Sequence, residues 1–547
     1  MSKSSISVKK IKVGRTTLEP SAQNDEISEG LFVFLNFAVF IFIMTSFTVE
    51  DQPDRNNNDA NTGCGDENVF HIDVSPSSWL KIEEFECASK SVQFSLNDLN
   101  GQLKEDAFKT LFMFEGAIVN SSPVMFCGGP VTAMAWSRNN PDVLAIASKL
   151  KFTPSPIDNM DPAPGLVQLW SAGAEGARPE LLFSMHHNHG VIWDLEWARG
   201  SGPGLGPIAA ACGDGSVRVW AMPLSEQLGN SGAVFTKSAD LNLVVGDPIN
   251  GAGQCLGLSW YQGPGFSYLA ACFTSGMVSL WHLTTTSPLL RSEDTVVASP
   301  TWPAHYGRTT GVSLSIGTQP IPTHVVTGGG QDHCYKFWDL RGIYPVELRV
   351  VKQGMILDVK WISGRSGACV IFDDLSKSGL LVVEAGSHST PVCPMVSEVS
   401  SVTGLALSSW LSCAALCTSA GELIVCELPL PLKDRMEQEP RLSMGHVYRT
   451  KVVPVPGCTP PDTEDRRQYE AIAASSRLLY HDTALQNPDP EDSLQMEPED
   501  VTSFPLAGLT SVAWNNSPSR RSLLASGGQA GIVRVHNLKK LGSHAMP

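Results

Sequence analysis

Two short hydrophobic patterns alternate along the chain. The first places an apolar residue, another three positions on, and a Trp or large apolar residue two further: Val131/Met134/Trp136, Ile192/Leu195/Trp197, Cys255/Leu258/Trp260, Ile356/Val359/Trp361, Val402/Leu405/Leu407 and Leu509/Val512/Trp514, with Val312/Leu314/Ile316 as a weaker copy. The second begins at a turn residue, usually Gly, and runs through alternating apolar positions to Trp or a substitute. Its copies run from Gly165 to Trp170, Gly215 to Trp220, Gly276 to Trp281, Asp332 to Trp338, Gly379 to Glu384, Gly421 to Cys426 and Gly531 to His536. Alternation with a period of two over five or six residues predicts a strand, and a Gly turn just before it predicts a tight hairpin to the strand preceding. Between the two patterns lies a third run of small apolar residues, such as those after Leu144, Ile208, Leu269 and Leu523 or at Val325 to Thr327. Small side chains suit a strand near a crowded axis. Three such strands and an outer one, repeated radially, make the blade of a β-propeller.

The second pattern ends at 170, 220, 281, 338, 384, 426 and 536, which predicts seven blades. The last interval is far longer than the roughly 40 to 45 residues of a blade. An insertion before the last blade accounts for it. The expected organisation is an N-terminal extension over residues 1–109, blades one to six with a closing strand over 110–428, an acidic, Pro-rich insertion over 429–505, the last blade over 506–540 and a tail at 541–547. Only eleven residues follow His536, too few for an outer strand, so the closing strand is expected near residues 110–114, completing the last sheet.

Several positions resemble WD repeats, in which a buried Asp, His and Trp lock a blade. Asp214 and Asp332 each stand six residues before a Trp, at Trp220 and Trp338; Trp338-Asp339 is the dipeptide that names the family; and His305 precedes that blade. That blade alone is expected to hold all three members. Trp170 and Trp281 are assigned the corresponding strand ends, and His536 replaces Trp in the last copy. The fold class is therefore all-β, a seven-bladed WD40-type propeller.

Composition agrees with a turn-rich globular fold: 48 Gly and 37 Pro in 547 residues, with only 17% charged, exclude a long coiled coil. Thirteen Cys without a CxxC pair, most in apolar runs, indicate buried thiols and a reducing compartment. The formal charge of −16 argues against a surface that grips nucleic acid throughout. Residues 31–49, uncharged and rich in Phe, follow Lys9, Lys10, Lys12 and Arg15. They have the length of a membrane anchor, and are read either as such an anchor, with the Asn120 sequon then open to glycosylation, or as a gene-model artefact or buried extension.

Catalytic signatures are absent from the sequence. No GxSxG, P-loop, GxGxxG or HExxH occurs, so neither an enzyme activity nor a cofactor or metal is expected. His186, His187 and His189 read as a polar loop, and the basic pairs Arg466-Arg467, Arg520-Arg521 and Lys539-Lys540 as solvated loops. Residues 488–500 carry six acids and no base. Asp489, Glu491, Asp492, Glu497, Glu499 and Asp500 are candidates for partner docking on an exposed excursion.

Longer strings resemble one family, the WD-repeat subunit of RNA polymerase III transcription factor C, known as general transcription factor IIIC subunit two. They run from Pro164 to Trp170, Gly190 to Trp197, Asp332 to Arg341, Leu479 to Asp482 and Leu524 to His536, within a likeness spanning about residues 120 to 540. The last is the most distinctive, joining Gly-Gly-Gln-Ala-Gly to a terminal His. The resemblance implies a nuclear, non-catalytic scaffold that packs against the largest, DNA-binding subunit of the factor, helps recognise B-box promoters of tRNA-type genes, touches DNA only through the complex, and helps recruit the polymerase III initiation factors. The alternatives are a WD adaptor of a ubiquitin ligase or chromatin complex, and a membrane-anchored propeller.

Overall fold

In the computed structural model, the described residues run from Phe70 to Lys539, with the main gaps at 98–107, 247–251, 316–320, 386–394, 429–443, 457–474 and 484–504. The hydrophobic run 31–49, the six acids from Asp489 to Asp500, Arg466-Arg467 and the tail lie outside them.

The strands of the described residues fall into seven sheets, numbered here by the order of their innermost strands, which are Val131–Trp136, Ile192–Trp197, Cys255–Gly263, Thr309–Leu314, Gly354–Trp361, Val402–Leu407 and Leu509–Trp514. Each continues outward through antiparallel neighbours. In sheet two, for example, Ile192–Trp197 pairs with Gly206–Cys212, which pairs with Val217–Met222. Among the described residues helix is almost absent, the α-helix Ser225–Leu228 being one turn long, and none is long and apolar enough to cross a membrane.

Second strands bury both faces. Gly206–Cys212 is buried at every position, and Ala145, Ala209, Ala210, Ala270, Ala271, Ala414, Ala415 and Ala525 have no exposed surface. A strand can bury both faces only where its sheet lies between two others, and Ala lets those neighbours approach. The apolar clusters confirm that packing. One joins sheets one and two through Phe183, Trp197 and Trp220; another joins two and three through Val219, Trp260 and Trp281. The series continues around, and a cluster holding Val131, Trp136, Trp170, Ala525 and Val535 joins sheet seven back to sheet one. This is a β-propeller arrangement.

Glycine matters most at the hairpin turns. Gly215, Gly276, Gly421 and Gly531 all take positive φ, between 77 and 88°. At Gly276 a Cβ would meet the His305 carbonyl oxygen at 2.3 Å, so both conformation and space require Gly. In sheet four, His333 occupies the left-handed position (φ 54°), its Nδ1 facing the Gly354 carbonyl oxygen at 3.0 Å.

The closing strand differs from the expectation. Residues 110–114 do not complete sheet seven: Lys109–Phe112 pairs with Ser91–Asn97, which adds parallel to Ser476–Asp482 in sheet six. Sheet seven is completed by Ser122–Phe126, antiparallel to Ile532–Asn537, and then by Gly116–Val119. Burial explains the choice. Val124, Met125 and Phe126 are fully buried, as a strand enclosed on both faces must be, whereas Lys109–Phe112 buries only Leu111 and suits an outer edge. The strands around 116–126 turn through Asn120 and Ser121, both at positive φ (48 and 65°), as a two-residue hairpin requires.

Sheet six also takes up parts of the chain expected outside the ring. Met444–Pro454 and Ser476–Asp482, within 429–505, are its fourth and fifth strands, followed by Ser91–Asn97 from the N-terminal extension. Leu80–Ile82 likewise adds to the edge of sheet one through Val234–Thr236.

Candidate functional site

The innermost strands enclose a central cavity of about 1720 Å³ lined from all seven sheets. Hydrogen bonds stitch its wall from sheet to sheet. Trp197 Nε1 donates to the Ala135 carbonyl oxygen (3.1 Å), the Leu258 amide to Asp194 (3.0 Å), the Leu314 amide to Ser259 Oγ (2.9 Å) and the Trp361 amide to Ser313 Oγ (2.9 Å). Ser401 Oγ donates to Asp373 between sheets five and six. Thr403 Oγ1 donates to the Leu509 carbonyl oxygen (2.6 Å), Thr510 Oγ1 to that of Val131 (2.6 Å) and Trp136 Nε1 to that of Ala513 (3.2 Å), completing the circuit.

Charged side chains meet on the cavity wall. Lys360 Nζ lies 3.8 Å from Asp194 and 4.0 Å from Asp358, and Arg138 lies 3.7 Å from Glu196. Burial, reinforced by Asp194, pushes Glu196 up to about 7 against Arg138 and Lys360. Asp358 rises to about 6, from burial and the same Asp194, with Lys360 opposing. Burial works against the Lys360 charge, but the surrounding Asp358, Asp194 and Glu196 outweigh it and raise its pKa. These groups come from sheets one, two and five. The recurring patterns mark only the apolar positions of those strands and carry no signal that the charges converge.

The blade residues separate into distinct networks. His305 Nδ1 faces Asp332 Oδ2 at 2.9 Å, His305 Nε2 faces Thr327 Oγ1 at 2.8 Å, and Trp338 Nε1 donates to Thr327 Oγ1 at 2.9 Å. Burial lowers the His305 pKa despite Asp332, so the imidazole is neutral at physiological pH. Burial alone would raise Asp332, but the hydrogen bond from His305 and the Tyr306 and Cys334 amides lowers it. The chain of donors therefore runs Trp338 to Thr327 to His305 to Asp332.

Sequence reasoning missed a second His–Asp pair. His189 Nδ1 lies 3.2 Å from Asp214 Oδ2, and its ring lies 6.1 Å from that of Trp220. Asp214 is held down at about 2: burial opposes this, while hydrogen bonds from His189 and Ser216 and the nearby Arg218 prevail. The signal was present, since His189 stands 25 residues before Asp214 and His305 stands 27 before Asp332. His187, expected in a polar loop, instead ends the strand Glu180–His187 and is buried, with its pKa lowered to about 3 mainly by that burial.

The other Trp residues make different bonds. Trp170 Nε1 donates to Gln168 Oε1 (3.1 Å), and Gln168 in turn to the Cys127 carbonyl oxygen (2.7 Å) and Ser148 Oγ (3.0 Å). Trp220 and Trp281 donate to the carbonyl oxygens of Lys237 (3.4 Å) and Val244 (3.1 Å). His536 stacks on Tyr448 in sheet six at 5.0 Å.

That contact belongs to a buried joint between sheets six and seven. Arg534, 1% exposed, sits over Tyr448 and Tyr480 at 4.6 and 4.7 Å, and forms a two-pronged pair with Asp482 at 2.9 and 3.1 Å. Tyr448 Oη lies 2.8 Å from Ser526 Oγ. Two strings from separate parts of the sequence, one around Tyr480 to Asp482 and one around Ser526 to His536, thus meet face to face.

Little in these arrangements supports bond-making chemistry. Cys212, Cys413 and Cys417 are buried with their thiols pushed up to about 12, chiefly by that burial, and are inert at neutral pH. Arg520 pairs with Asp142 at 2.7 Å, tying sheet seven to sheet one, so it is engaged within the fold. Among the described residues no group of His, Cys, Asp and Glu has the geometry to hold a metal ion.

No family model matches the chain. It is similar to General transcription factor 3C polypeptide 2 of Pongo abelii and of Homo sapiens, each 25% identical over 483 residues covering 76% of this chain and 53% of the relative. The chain thus spans about half the length of these curated relatives. Among solved structures, a chain of the crystal structure of the mitotic checkpoint complex aligns with a TM-score of 0.44 and 12% identity over 76% of this chain and 91% of that one.

Proposed function

We propose that the chain is a non-catalytic scaffold subunit of a transcription factor IIIC-type complex, working in the nucleus, with each of its seven sheets forming one blade of the ring. The similarity to General transcription factor 3C polypeptide 2 carries this reading, and the joint between sheets six and seven supports it. There the strings around Asp482 and His536, both part of the resemblance, form one buried unit rather than two unrelated surface features.

On this reading the ring packs against the largest subunit of the complex, which reads the B-box promoter, and helps bring in the RNA polymerase III initiation factors. DNA is contacted by other subunits. The net charge of −16 suits a surface that binds proteins and leaves phosphates to its partners. Asp489, Glu491, Asp492, Glu497, Glu499 and Asp500 form the docking element.

The test is affinity purification of the tagged chain with mass spectrometry, together with chromatin occupancy. Recovery of the other factor IIIC subunits and occupancy at tRNA genes are expected. Recovery of ubiquitin-ligase or chromatin-complex subunits instead, or of membrane proteins alone, overturns the reading. Replacing the six acids by Ser should reduce recovery of the largest subunit while leaving the thermal midpoint unchanged; undiminished recovery rejects the docking role.

A further inference from the structure

Each sheet joins its first strand to its second by a loop, and side-chain hydrogen bonds tie five of these junctions into one continuous rim. Gln262, at the end of the first strand of sheet three, accepts from the Arg199 amide of sheet two and donates to the Arg199 carbonyl oxygen, both at 2.8 Å. Asn139 of sheet one brackets Gly200 in the same way, at 3.1 and 3.2 Å. Asn515 of sheet seven donates to the Pro141 carbonyl oxygen (2.7 Å), and Asn516 accepts from the Ser409 amide of sheet six (3.0 Å). The rim surrounds one end of the central cavity, which Arg138, Arg199, Ser409 and Asn516 help to line.

Its charge is opposite to that of the chain. By sequence the seven first loops hold five bases, Arg138, Arg199, Arg365, Arg520 and Arg521, and one acid, Asp142, in a chain of net charge −16. Asp142 is paired with Arg520. Arg138, Arg199 and Arg521 are exposed and belong to the successive sheets one, two and seven; Glu196, 3.7 Å from Arg138, lies on the first strand of sheet two. The connections between second and third strands, at the other end of the same strands, hold by sequence one base, Lys151, and four acids, Asp158, Asp161, Asp214 and Asp332. Trp410 stands on the rim beside sheet seven, 48% exposed, with Nε1 donating to the Asn516 carbonyl oxygen at 2.9 Å. An indole held by its single donor presents a fixed apolar face.

We infer that this rim docks an acidic segment of a partner protein, whose carboxylates pair with Arg521, Arg138 and Arg199 and whose apolar side chain rests on Trp410. That every base of the rim is Arg matters, because a guanidinium takes a carboxylate through two parallel hydrogen bonds. Charge favours a peptide over a nucleic acid. Duplex DNA carries about one charge per 1.7 Å and is held by long runs of phosphate contacts, whereas the rim offers a few exposed cations on a chain whose overall charge repels a polyanion. The interaction is a property of the ring itself, whichever complex it serves.

Fluorescence anisotropy with the purified full chain tests this, using a labelled peptide of about ten alternating Glu and Leu residues, the same peptide with Gln for Glu, and a labelled DNA duplex of about 20 base pairs. The Glu peptide should bind, the Gln peptide should bind far more weakly, and raising salt from roughly 50 to 300 mM should weaken the former. Arg138→Gln, Arg199→Gln and Arg521→Gln together should lower affinity by about tenfold or more. Trp410→Ala should lower it as well, and Lys151→Gln, at the other end of the strands, should leave it unchanged. Thermal melts of each variant show that the ring is intact. No binding of the Glu peptide, equal binding of the Gln peptide, affinity indifferent to the triple Arg variant or to Trp410→Ala, or tighter binding of the duplex than of the peptide overturns the inference.

Discussion

Thr327 ends the third, small-residue run of its blade without standing out from it, yet it is the hinge of the most complete polar network in the ring. Its hydroxyl accepts from Trp338 Nε1 and reaches His305 Nε2, and it is wholly buried. Thr327→Val keeps the shape and leaves two buried polar atoms without partners, which costs about 1 to 3 kcal/mol. Trp338→Ala opens a cavity between sheets three and four and should cost more, about 3 to 5 kcal/mol. Urea unfolding of both variants checks the order; equal losses would show that the hydroxyl contributes nothing. Sheet two shows how far the network can be reduced. Ala210 occupies the register of Thr327, two residues beyond the partner of the strand-end Trp, so Trp220 bonds a main-chain oxygen instead. The Asp, His and Trp of sheet four were legible because they fall at fixed offsets from the patterns. Thr327 was not, because one hydroxyl in an apolar run looks like any other small β-branched residue.

At the scale of the element, Arg218 and Arg534 hold the same place in the second pattern, three residues after the turn Gly, and alternation alone would treat them alike. Arg218 is half-buried and bonds Asn242 on the adjacent strand of its own sheet at 2.8 Å. Arg534 is enclosed because two further strands of sheet six bring Tyr448, Tyr480 and Asp482 over it. Their presence also accounts for His536: a ring that stacks on Tyr448 fills the place where other blades carry Trp. Asp482→Ala leaves a buried guanidinium without its carboxylate. Because Asp482 is partly exposed, the cost is set at about 1 to 3 kcal/mol, toward the lower end for a broken buried pair. Arg534→Met together with Asp482→Ala removes the stranded charge and should recover much of the loss. Chemical denaturation of the single and double variants decides this, and a double variant weaker than the sum of its parts would contradict the account.

Across the whole molecule, the charges gathered on the cavity wall predict a dependence on pH. Glu196 and Asp358 titrate near 7 and 6 in the folded ring, above their ordinary values of 4.5 and 3.8. Where the unfolded chain has already lost these protons, the folded one retains them. Their contribution to stability is therefore full below the unfolded values and falls as pH rises, through about 6 for Asp358 and about 7 for Glu196. His187 and His446, lowered by burial to about 3 and 4, act in the opposite direction, destabilising as pH falls below 6.5. A difference between variants separates the two. Glu196→Gln should stabilise the ring by about 1 to 2 kcal/mol at pH 8 and change little at pH 5. Thermal midpoints at both values test this, and a gain confined to pH 5 would reverse the sign.

Local pattern by itself determined the strands, the hairpin glycines, the small-residue second strands and the His305, Asp332 and Trp338 set. Each depends on side chains within a few positions of one another, or on a repeat that states the same rule many times. Tertiary structure decided which distant strand closes sheet seven, that Ser91–Asn97, Met444–Pro454 and Ser476–Asp482 widen sheet six, and where charges gather in the cavity. Two hydrogen-bonding edges in different parts of a chain look alike in sequence. What selects between Ser122–Phe126 and Lys109–Phe112 is whether both faces of the strand can be buried at that edge, and burial on both faces is a property of the assembled ring.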